Sequence, residues 1–394
     1  MTWRSAPEIS KGIYWVGVRD WNRKIFDALI PMPKGTTYNA YLVIGDNKAA
    51  LIDTVNPGFE TELEEKIRQI IDPEDIDYVV MNHAEPDHAG AIPHMLSINN
   101  KAEFVLTARG SKLAQRFYNV PENRLRIVHE GDRIDLGGKT LRFIDAPLLH
   151  WPETMFTYVP ENKILFPCDF MGLHIADGLF DDEADELLIF AQRYFGEIIM
   201  PFRVAAKNAL DKLKSLEIEM IAPSHGPIHR NTKRILDAYG RWASGETKQK
   251  VTVVYVTMWK STEKMVKILV DTLQSEGIEV SVHDLLTVDV SDLARDLVDS
   301  RAIVLGAPTV LNTVHPLAAN AVFLVKALHP PAKYAAVLSS YGWGAGAVKA
   351  IQEMLGPSKM EVVGAIDTNG PPHAEDIERI VALGKQLAAK IRQG

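Results

Sequence analysis

From Val251 to the carboxyl terminus, apolar β-rich runs alternate with stretches of helical periodicity, and that alternation leaves few folds open. The runs Val251 to Val256, Val280 to His283, Ala302 to Gly306, Tyr334 to Leu338 and Glu361 to Ile366 predict strands. Glu263 to Glu276, Leu293 to Ser300, Leu317 to Leu328, Ala347 to Leu355 and Ala374 to Gln393 predict helices. Successive parallel strands need long crossovers, which helices supply, so the pattern predicts a doubly wound five-stranded parallel sheet. Its ligand belongs in the loops that leave the carboxyl ends of the strands.

The residues before it follow another grammar. Between Gly35 and Asp169, β-rich runs at Ala40 to Ile44, Ala49 to Val55, Tyr78 to Met81, Phe104 to Thr107, Leu141 to Ile144, Met155 to Val159 and Lys163 to Phe166 alternate with turns. Helical stretches at Glu60 to Ile71, Asp185 to Phe195 and Val204 to Leu213 fall between or after them. This predicts a layered α/β fold with helices outside a pair of sheets. A chain of 394 residues exceeds what one hydrophobic core usually serves. The polar join Gly245 to Lys250 separates the grammars, so two domains are expected, 1–249 and 250–394.

Acidic side chains number 51 against 43 basic, a net charge of -8 that gives no support for a nucleic-acid or anionic-membrane partner. Met1 to Pro7 lacks the apolar core of a secretory signal, and no run approaches the roughly 20 apolar residues that span a bilayer. A cytoplasmic protein is expected. Cys168 is the only cysteine, which excludes an internal disulfide and a cysteine-ligated iron–sulfur centre within this chain. Electrons from such a centre must come from another protein.

His83-Ala84-Glu85-Pro86-Asp87-His88 places four metal-capable side chains where the strand Tyr78 to Met81 should end. Residues after a strand fan out, so His83 and Glu85 can face one metal while Asp87 and His88 face a neighbour. Further candidates stand at later turns: His150 in Leu149-His150-Trp151-Pro152-Glu153, Asp169 in Pro167-Cys168-Asp169, and His225 in Ser224-His225-Gly226-Pro227. Four imidazoles and three carboxylates suffice for two first-row metals if one Asp bridges them, and Asp169 is the natural bridge. The isolated His94, His129, His174, His229, His283, His315, His329 and His373 read as surface or packing residues, and Cys168 as a small buried filler.

In the carboxyl-terminal half, Thr257-Met258-Trp259-Lys260-Ser261-Thr262 follows the first strand and opens a helix. Hydroxyls and N–H groups at a helix amino terminus suit a phosphate monoester. The loop matches neither the triphosphate-binding nor the dinucleotide-binding glycine pattern. Two more loops leave strand ends, one with Pro308, Thr309 and Asn312, the other Ser340-Tyr341-Gly342-Trp343-Gly344-Ala345-Gly346. Glycines admit a planar ring close to the backbone, and Tyr341 and Trp343 offer stacking faces.

The spacing H-x-E-x-D-H, followed in order by single His, Asp and His positions, resembles the metallo-β-lactamase superfamily and, more closely, the flavodiiron proteins. Most hydrolases of that superfamily have His where Glu85 stands, and the carboxylate favours iron over zinc. The three loops of the second half resemble flavodoxin. The resemblance covers nearly the whole chain and implies an αββα sandwich followed by a flavodoxin-like domain that binds FMN. It implies that His83, Glu85 and His150 hold one iron, that Asp87, His88 and His225 hold the other, and that Asp169 spans both. Implied too are reduction of O2 to water or of NO to N2O, with rubredoxin or reduced coenzyme F420 as donor. A head-to-tail homodimer or dimer of dimers would place Trp343 near the junction, and Tyr194 or His88 would influence proton delivery. A diferrous pair and a reduced flavin together hold the four electrons that O2 requires.

Three positions depart from the family pattern. Lys260 replaces a common loop glycine, Leu311 a frequent Asn, and Asp27 a pocket histidine of some members. The competing reading is a binuclear zinc hydrolase with an accessory flavodoxin domain, against which Glu85 and the flavin loops both weigh. A bare electron carrier would leave seven ordered ligands unused.

Overall fold

The computed structural model describes residues 5–356 and 358–393. Met1–Arg4, part of the segment read for a secretory signal, lie outside the described residues. The chain forms two compact units, 1–194 with 202–240, and 195–201 with 241–394.

The first unit stacks two sheets. One runs in the order Glu8–Ser10, Ile13–Trp15, Tyr41–Ile44, Ala49–Ile52, Tyr78–Val80, Glu103–Leu106, Leu125–Ile127. The other orders Arg133–Asp135, Thr140–Asp145, Met155–Val159, Ile164–Phe166 and Met220–Ile221. Side chains alternate faces along a strand, so registered rows separate cleanly. Leu42, Leu51, Val79 and Phe104 pair across four strands and join the core that holds Leu63 and Ile67 of the helix Glu60–Ile67. Val43, Ala50 and Tyr78 face the opposite way, into a core shared with Leu141, Phe143, Met155 and Phe166 of the second sheet. Both faces of the first sheet are therefore buried, which explains why its strands read as continuous apolar runs. Behind the second sheet, Phe156 stacks on Phe170 at 5.6 Å, and Phe170 meets Tyr239 of the helix Thr232–Ser244. The layering is the expected αββα sandwich.

Several elements here were not foreseen. The strands Glu8–Ser10, Ile13–Trp15 and Val18–Asp20 have three residues each, too few to display a period. The helix Ala108–Tyr118 is capped by Thr107, whose hydroxyl accepts from Gly110 N–H, and its polar composition hides it.

The second unit has parallel strands in the order Glu279–Asp284, Lys248–Tyr255, Ser300–Val310, Tyr334–Tyr341, Glu361–Asn369. This is the flavodoxin-like 2-1-3-4-5 order. The helices Ala347–Leu355 and Ala374–Gln393 have the predicted bounds. The third strand outruns its predicted end at Gly306 because Thr313–Val314 folds back on it, pairing Thr309 with Val314 and Val310 with Thr313. Helices Ser261–Ser275 and Ala374–Gln393 pack tightly at Gly384, where a Cβ would lie 2.8 Å from Thr272. The single-turn π-helix Phe195–Ile199 also belongs to this unit: a Cβ on Gly196 would meet Ala294 O of the helix Val290–Leu297 at 2.6 Å.

Candidate functional site

Two residues after the strand Tyr78–Val80 stands Asn82, whose N–H and side-chain amide donate to Asp53 at 2.9 and 3.0 Å. The next six residues turn sharply. Pro86 opens the helix Pro86–Ala89 with Glu85 as its N-cap, a position proline favours because the first helical N–H has no partner within the helix. Asp87 and His88 thus point differently from His83 and Glu85. Asp169 follows the strand Ile164–Phe166, and His225 follows Met220–Ile221. Ser224 N–H donates to Cys168 O at 2.8 Å, tying these two loops together. Gly226 adopts φ +76°, and a Cβ there would strike Leu173 O at 2.5 Å, so the position requires glycine.

All seven predicted donors converge, in two groups. His83, Glu85, His150 and Asp169 present donor atoms within 4.8 Å of one another, and Asp87, His88 and His225 form a second such set. Glu85 Oε2 lies 2.9 Å from His150 Nε2 and 3.2 Å from His83 Nε2. Asp87 lies 3.1 Å from His225 Nε2 and 3.3 Å from His88 Nε2. Asp169 divides its oxygens between the groups. Its Oδ2 faces His150 and His83 at 3.5 and 3.6 Å, while Oδ1 faces His88 and His225 at 2.9 and 3.4 Å.

These contacts fit metal ions better than hydrogen bonds. Both oxygens of Asp87, both nitrogens of His88 and Asp169 Oδ2 are buried without a hydrogen-bond partner, although opposite charges stand within 4 Å. Burial opposes charge on His83, yet hydrogen bonds to Glu153 and Glu85 hold its pKa up to about 10. Against the same burial, the Asp169 and Asp87 carboxylates raise His88 to about 9. Asp169, despite burial, is held well below the carboxylate range, first by His88. His83 and His88 are thus held in their protonated form beside these carboxylates, and a bound cation would displace those protons.

Supporting groups set the imidazole orientations. His83 Nδ1 lies 2.8 Å from Glu153 Oε1, and His225 Nδ1 lies 2.7 Å from Thr37 O, so each ring turns Nε2 inward. Tyr194 is buried and donates to Asp169 Oδ1 at 2.8 Å. Asn39 donates to Pro223 O and Gly226 O, both at 2.8 Å, bracing the His225 loop.

Several site groups escaped the sequence reading. His174 packs 4.8 Å from the His225 ring and 5.0 Å from Tyr194, with Thr36 Oγ1 2.9 Å from its Nδ1. Burial and His225 push it well below the usual histidine pKa, so it is neutral. Nothing local marks it. Glu153 had a visible signal, three residues after His150 in a turn already singled out. Asp27, exposed on a hairpin tip at φ +48°, has its pKa raised by partial burial and by the Glu85 and Asp87 charges. Cys168 is a buried thiol, as read.

The three loops of the second unit also meet at one end of its sheet. Pro308 and Ser340 are register partners, and Ser340 Oγ lies 2.9 Å from Thr262 Oγ1 at the start of the helix Ser261–Ser275. Thr309 Oγ1 accepts from Gly346 and Ala347 N–H, both at 3.2 Å. A Cβ on Gly346 would strike Asn312 O, whereas at Gly342 it would meet open space. Thr257 Oγ1 is buried without a partner, an orphan at the loop read as a phosphate site. Lys260 adopts φ +65°, a conformation that glycine takes without strain, and Leu311 and Asn312 form a left-handed turn at φ +49° and +61°. Met258, Trp259 and Trp343 are exposed, and Tyr341, Gly344 and Ala345 complete the rim.

The sequence pattern of the ODP family beta lactamase matches residues 36–226. The chain is 41% identical to a protein of Moorella thermoacetica named nitric oxide reductase, covering 97% of this chain and 98% of the relative. Among solved structures, rubredoxin oxygen:oxidoreductase from Desulfovibrio gigas superposes with a TM-score of 0.95 at 29% identity, covering 98% of this chain and 99% of the other. The flavodiiron protein from Giardia intestinalis superposes with a TM-score of 0.91 at 31% identity, covering 98% of each.

Proposed function

We propose a function from the premise that the chain belongs to the flavodiiron protein family: it reduces O2 to water, NO to N2O, or both, at a di-iron centre fed through FMN. The observation that carries the reading is the division of Asp169, one oxygen toward each donor group. His83, Glu85 and His150 would hold one iron, Asp87, His88 and His225 the other, with Asp169 between them. Such a pair would supply electrons and Lewis acidity toward oxygen atoms, with FMN as the source of further electrons.

The chain's own groups prepare that chemistry. Glu85 adds negative charge where zinc hydrolases of the wider superfamily use imidazole, which suits a harder ion. Tyr194, pushed well above its ordinary pKa by burial and by Asp169, keeps its proton and holds it on Oδ1 of the bridging carboxylate. Neutral His174 and the ring of Phe26, 5.1 Å away, line one wall and limit water beside His225. In the second unit, Thr257 to Thr262 would bind the FMN phosphate at the helix start. Pro308, Thr309, Asn312 and Ser340 to Gly346 would surround its ring.

The electron donor is external, a rubredoxin or reduced coenzyme F420, and the working assembly is a head-to-tail homodimer or dimer of dimers with Trp343 near its junction. Among the described residues no helix is long and apolar enough to cross a membrane, and we assign the protein to the cytoplasm. Metal and flavin analysis of protein from iron-supplied cells, followed by anaerobic mixing of the reduced protein with O2 and separately with NO, tests the reading. About two irons and one FMN per chain, with consumption of either gas, are expected. Two zincs, hydrolysis of esters and no gas consumption would instead make it a hydrolase.

A further inference from the structure

We propose that Glu153 makes the two metal positions unequal, so that the His83, Glu85, His150 position holds its metal more tightly and at lower potential than the other. This rests on the di-iron reading above. An imidazole that ligates through Nε2 is tuned by the partner of its Nδ1, and an anionic partner strengthens it as a donor.

Three of the imidazoles differ in that partner. His83 Nδ1 faces a carboxylate, Glu153 Oε1, at 2.8 Å with both side chains buried. His225 Nδ1 faces a neutral carbonyl, Thr37 O, at 2.7 Å, with Thr36 Oγ1 at 3.3 Å. His88 Nδ1 is buried without a partner. The charge behind a ligand thus falls on one side of the pair.

Glu153 is held firmly for this task. Its Oε1 also accepts Ala84 N–H at 3.0 Å, and its main-chain oxygen accepts the Thr107 hydroxyl at 2.9 Å. The turn that supplies His150 supplies Glu153 as well, and between them the Trp151 ring stands edge-on to His83 at 5.0 Å and 89°. One short segment therefore provides a ligand, a packing wall and a charge for the same position. Asp53 is a second buried carboxylate nearby, but Asn82 holds it, and it makes no hydrogen bond to an imidazole.

The test is anaerobic ferrous-ion titration of metal-free wild type and Glu153→Gln, followed by redox titration of the iron-loaded proteins with electron paramagnetic resonance of the mixed-valent state. The substitution should weaken one of two binding steps by about 10- to 100-fold and raise the potential of one iron only. The potential interval over which the mixed-valent signal exists should narrow. Glu153→Asp, which keeps the charge, should restore at least part of that interval, an effect that mere loss of packing would not give. An interval unchanged in Glu153→Gln, equal weakening of both steps, or identical behaviour of the Gln and Asp variants would overturn the proposal. Absence of any mixed-valent signal or paired binding in wild type would instead strike at the di-iron reading itself.

Discussion

Each unit of the molecule buries a cluster of charged side chains, and the two are built on opposite principles. In the second unit, Lys250 Nζ donates to Asp296 Oδ1 at 2.9 Å and to Asp299 Oδ1 at 3.1 Å. His283 takes the other oxygen of Asp296 at 2.9 Å, and Lys248 that of Asp299 at 2.7 Å. The chain supplies its own cations, and each carboxylate oxygen is matched. In the first unit, among the described residues, the ion-pair partners of Glu85, Asp87 and Asp169 are all imidazoles, and buried oxygens and nitrogens of the cluster lack hydrogen-bond partners. Buried polar atoms are rarely left so, because an unmatched group forfeits its hydration without compensation. One cluster is scaffold, while the other is complete only with imported positive charge.

The contrast is sharpest if the imported charge is removed. Chelation of the iron-loaded protein should abolish O2 and NO turnover and lower the thermal midpoint of the first unit. A ligand present at 1,000 times its dissociation constant stabilises by about 4 kcal/mol. FMN content and the second unit's transition should not change. Calorimetry that showed both units responding alike to chelation would break the comparison. Glu85→His acts on the same side more selectively: iron occupancy and gas consumption should be lost with FMN retained. Oxygen uptake at the wild-type rate by the chemically reduced variant would remove Glu85 from the site.

Lys250→Met reverses the roles, stripping the scaffold cluster of its own cation and leaving two buried carboxylates opposed. The expected loss is about 3–5 kcal/mol, read by urea denaturation followed at the second unit, with iron content unchanged. A loss below about 1 kcal/mol would mean that this cluster is solvated like a surface pair.

Acid should separate the clusters by a smaller effect. Burial alone would raise the Asp296 pKa, but His283 and Lys250 reverse this and hold it below the carboxylate range. A lowered folded-state pKa gives stabilisation that is complete above the unfolded value, near pH 4, and fades as pH falls toward the folded value. Asp296→Asn should therefore flatten the decline in the second unit's stability below about pH 4. An unchanged acid limb would refute that assignment. Smallest of all, Trp259→Ala should alter stability by no more than about 0.5 kcal/mol, since the ring is 87% exposed, while FMN affinity falls. A large drop in thermal midpoint would show that Trp259 supports the fold.

Legibility followed the range of the interactions. The second unit could be read almost element by element, because its strands and helices are long enough to display a period and each crossover is local. The first unit was legible in its central strands but not in Glu8–Asp20, where the strands have three residues each and Ile13–Trp15 and Val18–Asp20 pair with strands well further along the chain. The seven proposed metal donors could be singled out because four are neighbours and the others occupy turns after strands. Lys250, Asp296 and His283 gave no such signal, since each sits at ordinary spacing in a strand or helix.

Residue order alone carried the donor types, their sequence along the chain and the carboxylate at position 85, and it singled out the loops proposed for a planar phosphorylated ligand. These depend on chemical identity and short-range geometry, which neighbouring residues impose on one another. Folding in three dimensions settled the rest: the two-sided placement of Asp169, the Tyr194 proton on its Oδ1, neutral His174 beside His225, and Glu153 behind His83. Each of these depends on separations of a few ångströms between segments tens of residues or more apart, and such distances come only from packing.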